Sequence, residues 1–183
     1  MLATAHKPWC GPTRAGSSSR DADVNDTDIA LLRRCIELAR AARDAGNAPF
    51  GSILVSRDGV VAAELMNATG SGDVTAHPEL ALAAWASPHM TDGERATATL
   101  YTSCESCAMC ATAQFWAGIG RLVFALSSEQ LGEILPVHVA HLRLSSRDVF
   151  ARGDVPIEVD GPCEELVADA LAVFDGFWTE PMS

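Results

Sequence analysis

The sequence predicts an α/β fold, a three-layer α/β/α sandwich around a mixed five-stranded sheet. Three observations support this fold class. Helical and strand patterns alternate along the chain, 48% of its residues are hydrophobic, and its length of 183 residues suits one domain with a sizeable core. The chain has no apolar run of about 18 residues, so we expect no transmembrane span.

The first part of the chain differs in composition from the rest. Residues 1–25 contain several glycines and serines and lack an apolar period. This composition predicts a flexible N-terminal extension, followed by one domain at residues 26–183. His6 and Cys10 lie in the extension, but a structural zinc site needs four ligands. We therefore interpret these two residues as incidental.

The domain is expected to begin with an amphipathic helix, because apolar residues recur every three or four positions from Ile29 onward. Asp26 or Thr27 can cap its start, and Gly46 can end it in a left-handed conformation. A turn at residues 57–59 then joins two strands as a hairpin. The predicted strands occupy residues 50–55, 60–66, 98–102, 121–126 and 155–159, and the later helices occupy residues 77–86, 107–116 and about 166–177.

The charge balance argues against one class of function. Thirteen basic and 24 acidic side chains give a net charge of −11, whereas a protein held on nucleic-acid phosphates needs clustered positive charge. Nucleic acid is therefore not expected as a partner, but this charge is compatible with a small substrate in a pocket. The N-terminus lacks the apolar run of a secretory signal, so we expect a cytoplasmic protein.

Three of the six cysteines are clustered. Cys104, Cys107 and Cys110 lie three residues apart, a pattern that favours a metal or redox site over disulfides in a cytoplasmic chain. Cys107 and Cys110 come at a predicted helix start, so their sulfurs share one face of that helix. The positive end of the helix dipole favours the thiolate form of both side chains.

Two thiolates and one imidazole would form a three-ligand zinc site. With His77 as the third ligand, the fourth position is left for a water or hydroxide, which is typical of catalytic rather than structural zinc sites. Glu79, two residues after His77, is placed to move a proton without binding the metal. We therefore expect one Zn²⁺ per subunit.

The motif H-x-E followed by P-C-x-x-C is the signature of zinc deaminases, and this chain carries it with Ser106 in the place of the proline. In the order and spacing of its motifs, the chain resembles the cytidine-deaminase-like superfamily. Within that superfamily it is most similar to the branch of bacterial guanine deaminases and related nucleobase deaminases. The matching segments are residues 49–51, Asn67, residues 75–79, residues 101–110 and residues 115–117.

This resemblance implies roles for eight side chains. The zinc ligands and the proton shuttle it implies are His77, Cys107, Cys110 and Glu79. The substrate-binding residues it implies are Asn67, Phe50, Trp116 and Ala76, with Asn67 as a hydrogen-bonding residue and the two aromatic side chains as pocket walls.

Three positions depart from the family pattern. Pro78 replaces the usual alanine and Ser106 the usual proline, but proline suits a first helical turn and Ser106 can cap the following helix. Residues 134–138 lack the acid with which guanine deaminases recognise guanine, although Glu129 and Glu133 lie nearby. The resemblance therefore supports the reaction class, hydrolytic deamination, more strongly than it supports guanine as the substrate.

Several residues also allow a plainer interpretation. The cysteine cluster resembles iron–sulfur spacing, and Cys104 could close a four-ligand structural zinc site, but we favour Cys104 as a small buried residue beside the metal. Asn67 could be only a turn residue and Trp116 a core residue. Trp178 could cover the active site or simply pack.

The sequence therefore predicts a zinc-dependent hydrolytic deaminase that releases ammonia from a small free nucleobase or related amino-heterocycle. Guanine, a cytosine-type pyrimidine and an aminotriazine all fit this prediction. Two alternatives stay open: a tRNA adenosine deaminase, which needs a positive surface for RNA, and a non-enzymatic, zinc-stabilised module. By analogy with the related proteins, we expect a homodimer.

Overall fold

The computed structural model describes residues 24–178, which contain one mixed sheet of five strands. The strands are β1 (Gly51–Val55), β2 (Val61–Met66), β3 (Thr99–Cys104), β4 (Arg121–Leu126) and β5 (Glu158–Asp160). Their order in the sheet is β2-β1-β3-β4-β5. β1 pairs antiparallel with β2 and β3, whereas β3 and β5 each pair parallel with β4. The predicted mixed sheet is confirmed.

Helices cover both faces of this sheet. They are α1 (Asp26–Asp44), α2 (Pro78–His89), α3 (Asp92–Ala96), α4 (Ala108–Ala117), α5 (Ser128–Ile134), α6 (Ser146–Phe150) and α7 (Val167–Ala172). One buried cluster joins α1 and α7 to alternate residues of the strands, such as Val123, and a second joins α2 and α4 to the intervening residues, such as Leu122. The three-layer arrangement is thus confirmed, and none of the helices within residues 24–178 is long and apolar enough to cross a membrane.

The start of α1 differs from the sequence prediction. Asn25, not Asp26 or Thr27, is the N-cap, and its side chain accepts hydrogen bonds from the backbone N–H groups of Thr27 at 2.9 Å and Asp28 at 3.1 Å. The Asp28 carboxylate accepts a reciprocal bond from the Asn25 N–H, which completes a capping box. Asn25, assigned above to the extension, therefore belongs to the fold. Residues 1–23, with His6 and Cys10, lie outside the described residues, as do residues 179–183.

Two glycines set the path from α1 into the sheet. Gly46 adopts a φ of +81° just after α1, as predicted for the end of that helix. Gly51 opens β1 where α1 packs directly on the strand, and a Cβ at this position would lie 2.5 Å from the Cys35 carbonyl oxygen. Glycine is required at position 51 because any larger residue would push the helix away from the sheet.

The C-terminal third differs most from the prediction. The last strand is shorter and begins at Glu158 rather than Val155, because Pro156 has no N–H for a ladder and β5 pairs with β4 only from Glu158 opposite Arg121. Between β4 and β5, the chain forms the two short helices α5 and α6, which the sequence pattern did not indicate. Each begins with a capping box, at Ser127 and Ser145 respectively.

Candidate active site

The two predicted motifs meet where two helices begin. His77 is the N-cap residue of α2, and Cys107 is the N-cap residue of α4, three residues after the end of β3. α2 and α4 pack against each other on one face of the sheet. This packing brings His77 next to Cys107 and Cys110, which lie 30 and 33 residues further along the chain.

The donor atoms of His77, Cys107 and Cys110 form a compact cluster, with all three atoms within 4.8 Å of one another. The two sulfurs are 3.6 Å apart, and the Nδ1 atom of His77 lies 3.7 Å from the Cys107 Sγ and 3.5 Å from the Cys110 Sγ. A tetrahedral zinc centre with ordinary bond lengths separates two sulfurs by about 3.8 Å and a nitrogen from a sulfur by about 3.6 Å. The cluster therefore fits a zinc ion without rearrangement.

The two cysteines of the cluster affect each other's acidity. The hydrogen bond between the two sulfurs lowers the pKa of Cys107, and the His77 imidazole lowers it further. The same bond, together with burial, raises the pKa of Cys110. Cys104 is buried, as expected, but does not belong to the cluster, which argues against a four-ligand structural zinc site.

Glu79 lies in the first turn of α2 and is 4% exposed. Its Oε1 accepts a hydrogen bond of 2.7 Å from Thr102 Oγ1, and Thr102 in turn accepts one of 2.9 Å from Ser52 Oγ. Burial raises the pKa of the Glu79 carboxyl, while the Thr102 hydrogen bond opposes part of that rise. A carboxyl held in this way, two residues from His77, can exchange a proton near a metal ion.

Asn67 offers a buried hydrogen-bond donor. Its Oδ1 accepts bonds from the backbone N–H of Thr69 at 2.9 Å and from Thr69 Oγ1 at 2.6 Å. Because a backbone N–H can only donate, these bonds fix which amide atom is the oxygen. Asn67 is 1% exposed, and within residues 24–178 its Nδ2 has no hydrogen-bond partner. A donor buried without a partner is costly, so this group is suited to a bound ligand.

Phe50 and Ala76, the other two residues predicted near Asn67, form backbone hydrogen bonds with Asn67 and with its neighbour Ala68. The Asn67 N–H donates to the Phe50 carbonyl at 2.9 Å, and the next N–H, that of Ala68, donates to the Ala76 carbonyl at 3.0 Å. The Phe50 ring packs 5.4 Å from Phe174, which stacks on Trp178 at 5.2 Å. The ring of Phe50 thus belongs to an aromatic cluster on the α1 and α7 side of the sheet, and Trp178 packs within it.

Two interpretations of single residues are wrong. Trp116 is 76% exposed on α4, so it is not a core residue, and its role as a pocket wall stays a prediction. Ser106 does not cap α4, because Cys107 occupies the N-cap position. The Ser106 hydroxyl is fully buried and forms no hydrogen bond with any residue that the structure describes.

The sequence analysis missed Thr102, Ser52 and Glu105, all of which are buried polar residues. Their only signal is a polar residue within or directly after an apolar strand, where a core side chain would be expected. Glu129 and Glu133, the candidate replacements for the missing guanine-recognition acid, are both exposed, and Glu129 lines a cavity of about 250 Å³ between α5 and α6.

Comparisons of the sequence with known proteins find one family and several relatives. Residues 25–126 match the cytidine and deoxycytidylate deaminase zinc-binding region. A probable cytosine deaminase of Schizosaccharomyces pombe is 38% identical over 85% of this chain and 95% of its own length. The guanine deaminase of Bacillus subtilis is 37% identical over 48% of this chain and 56% of its own. A tRNA-specific adenosine deaminase of Haemophilus influenzae is 32% identical over 60% of this chain and 64% of its own.

The fold has close counterparts among solved structures. One protein, crystallised in complex with 2,6-diaminopurine, superposes with a TM-score of 0.65 at 25% sequence identity, covering 85% of this chain and 85% of its own. The family match spans more than half of the chain and contains His77, Glu79, Cys107 and Cys110. Together with the sequence identity along most of its length, this places the protein in the cytidine and deoxycytidylate deaminase family, as a deaminase.

Proposed function

We propose that this deaminase is zinc-dependent and removes the exocyclic amino group of a small free nucleobase or related amino-heterocycle by hydrolysis, releasing ammonia. The observation that carries the proposal is the position of Glu79, a buried carboxyl next to a cluster that fits zinc. A structural metal site has no need for such a carboxyl, whereas hydrolysis needs a group that takes up and returns a proton.

His77, Cys107 and Cys110 would hold the ion, and a Zn²⁺ ion bound there supplies Lewis-acid activation of a water molecule. Glu79 moves the proton. Its Oε1 is held by the Thr102 hydroxyl, so Oε2 is the atom that accepts the proton and delivers it to the leaving amino group. Burial keeps bulk water from exchanging that proton during turnover.

We propose that a planar ring binds beside this centre. The unpartnered Nδ2 of Asn67 can donate to a ring carbonyl oxygen or ring nitrogen, and Phe50, whose carbonyl accepts from the Asn67 N–H, is the apolar neighbour that we propose for the ring. The relatives support a base as the substrate, since they include a cytosine deaminase and a guanine deaminase. Guanine, cytosine-type pyrimidines and aminotriazines are the substrates we propose to test.

A tRNA adenosine deaminase is the competing function, because one relative at 32% identity has that activity in its name. The net charge of −11 argues against it, since RNA binding gains its affinity from positive charge along the phosphates. The acidity lies in the domain itself, because residues 1–25 hold three basic and two acidic side chains.

The decisive experiment measures ammonia release from purine, pyrimidine and triazine bases, their nucleosides, and a tRNA anticodon stem-loop. Zinc-loaded protein is compared with Glu79→Gln, which keeps the side-chain volume but cannot carry the proton. We expect turnover of at least one free base and loss of at least about a thousandfold in the variant. Turnover of the RNA alone, or full activity of Glu79→Gln, would contradict the proposal.

We also propose a homodimer and a cytoplasmic location. Trp116 is 76% exposed and Met109 37% exposed on one face of α4, seven residues apart, so a large apolar surface is available to a second copy. The five cysteines within the described part of the chain are all unpaired, as is usual in a reducing compartment.

A further inference from the structure

A second buried carboxylate lies close to the proposed metal site. Glu105 follows β3 directly, two residues before Cys107, and is only 9% exposed. It has no place in the proton transfer described above. A buried carboxylate is retained only where strong hydrogen bonds compensate for its lost hydration, so its partners indicate what it does.

Three hydrogen bonds hold the Glu105 carboxylate. Its Oε1 accepts from the Ser146 N–H at 2.8 Å and the Ser146 hydroxyl at 2.6 Å, and its Oε2 accepts from the Ser128 N–H at 2.9 Å. Ser128 is the first residue of α5, and Ser146 is the first residue of α6. One carboxylate thus satisfies backbone donors at the starts of two helices, where the helix dipoles also favour negative charge.

These two helices enclose an irregular part of the chain. We call residues 127–146 the α5–α6 segment, because it runs from the N-cap of α5 to the first residue of α6. Ser128 and Ser146, near its two ends, are 18 residues apart in sequence, yet both are bound to one side chain. Inside the segment, the Ser128 hydroxyl contacts His141 Nε2 at 3.1 Å, so its middle is also tied to its start. Glu105 is therefore the common anchor of the segment.

The α5–α6 segment lies on the same edge of the sheet as the proposed metal ligands. β3 and β4 run side by side in parallel, and where they end the Glu105 N–H donates to the Leu126 carbonyl at 2.8 Å. β3 leads to Cys107 and β4 leads to the segment, while α6 packs against α4. In open α/β sheets ligands bind outside the carboxyl ends of the strands, so the segment is placed to border the substrate.

We propose that Glu105 is a positioning residue that clamps the α5–α6 segment against the loop carrying Cys107, so that the segment forms a fixed wall of the substrate pocket. This inference rests on the proposed function for the identity of the pocket. The clamp acts on substrate binding rather than on the metal ligands, because β3 and the Leu126 bond hold the backbone before Cys107 without the Glu105 side chain.

Glu105→Gln tests the clamp with little change in volume. All three partners are donors, and a glutamine amide presents one oxygen and one NH₂ group, so at least one bond is replaced by a contact between two donors. We expect the KM for the base found in the ammonia screen to rise about tenfold. Cobalt affinity, followed by titration, is expected to stay within about threefold of the parent, and this separation distinguishes the clamp from general damage to the site.

Two further variants are compared by their KM, one as a weaker perturbation and one as a control. Ser146→Ala removes one of the three bonds and keeps both backbone donors, so we expect a KM rise of only about threefold. Glu164→Gln neutralises an exposed carboxylate that follows β5 in the chain and is expected to leave KM unchanged. An effect of Ser146→Ala equal to that of Glu105→Gln would contradict an anchor made of three separate bonds.

A second measurement does not depend on activity. Trypsin cuts after Arg143, an exposed residue in the irregular part of the α5–α6 segment, and fragment masses distinguish this cut from others. Cleavage at Arg143 should be about tenfold faster in Glu105→Gln than in the parent, because the local opening of the segment becomes easier. Unchanged cleavage overturns the clamp, as does a loss of cobalt affinity with an unchanged KM. If no base is deaminated, the proposed function fails, while cleavage still decides the clamp.

Discussion

The Thr102 hydroxyl donates a 2.7 Å hydrogen bond to Glu79, and it is itself the acceptor for Ser52. Ser52, Thr102 and Glu79 come from β1, β3 and α2, so three separate elements define where the carboxyl sits. The direction of these two hydrogen bonds matters, because each hydroxyl has one proton and a defined acceptor for it. In the proposed mechanism, Glu79 therefore uses Oε2 for proton transfer, while Oε1 is fixed by Thr102.

Thr102→Val removes this hydrogen bond with almost no change in shape. Because the Thr102 bond lowers the pKa of Glu79 against the upward effect of burial, its loss raises that pKa further. A higher pKa means that Glu79 stays protonated to a higher pH, so the acid limb of the kcat/KM profile shifts to higher pH. We expect kcat to fall about tenfold at pH 7. Ser52→Ala, one bond further away, should show a smaller shift in the same direction, and a profile identical to that of the parent would contradict the role of Thr102.

The cluster of His77, Cys107 and Cys110 could be predicted from the sequence because its signals are local. Cys107 and Cys110 are three residues apart at a helix start, so helix geometry puts their sulfurs on one face, and His77 precedes Glu79 within one short motif. The long-range pairs could not be predicted in this way. The bond between Ser146 and Glu105 joins residues 41 positions apart, and no periodicity in the sequence records that contact.

The proposed role of Asn67 as a hydrogen-bond donor to the substrate can be tested with one substitution. Asn67→Asp keeps an oxygen for the two Thr69 donors but replaces the Nδ2 donor with a second acceptor. A substrate acceptor atom would then face an unprotonated oxygen, so we expect kcat/KM to fall at least about a hundredfold. Thr69→Val serves as the control, because the Thr69 N–H still orients the amide, and its loss should be under tenfold. Similar losses in both variants would argue for a turn role of Asn67 rather than substrate binding.

Metal content distinguishes the roles of Cys104 and Cys110. Cys110→Ser should lose most of the bound zinc, since hydroxyls are poor zinc ligands, whereas Cys104→Ser should retain one zinc per chain because Cys104 is outside the cluster. Chelation of the parent should lower its thermal stability, by about 3 kcal/mol if zinc is present at 100 times its dissociation constant. Elemental analysis after dialysis checks the first expectation and thermal melting the second. Equal zinc loss in Cys104→Ser would restore the four-ligand alternative.

Trp116 provides the test of the proposed dimer. Trp116→Glu places a charge in the middle of the exposed apolar face of α4, which a second copy would have to bury. We expect light scattering to show a dimer for the parent and a monomer for this variant. Val137→Glu is a matched control, because Val137 is fully exposed and belongs to the α5–α6 segment rather than to α4. A monomeric parent at working concentration would refute the dimer.

The Asp28–Arg121 ion pair gives a prediction for stability at low pH. Burial alone would raise the pKa of Asp28, but bonds from Arg121 at 3.0 Å and Tyr101 at 2.6 Å outweigh it and hold that pKa below its usual value. A carboxyl with a lowered folded-state pKa contributes stability above its unfolded pKa of about 4, and this contribution is lost as the pH falls further. Asp28→Asn should lower the free energy of unfolding by about 3 kcal/mol at pH 7, because it leaves one partner of Arg121 neutral.

The difference in free energy of unfolding between the parent and Asp28→Asn should depend on pH if Asp28 contributes through its charge, and not if it contributes only through packing. Between pH 5 and about pH 3, the free energy of unfolding should fall more steeply for the parent than for Asp28→Asn, so the two values should converge. Denaturant titrations at several pH values measure this convergence. Asp160, which accepts a 2.7 Å bond from the Arg121 Nε, remains in both proteins and keeps part of the network intact. A difference that stays constant with pH would show that Asp28 contributes through its shape and neutral hydrogen bonds, not through its charge.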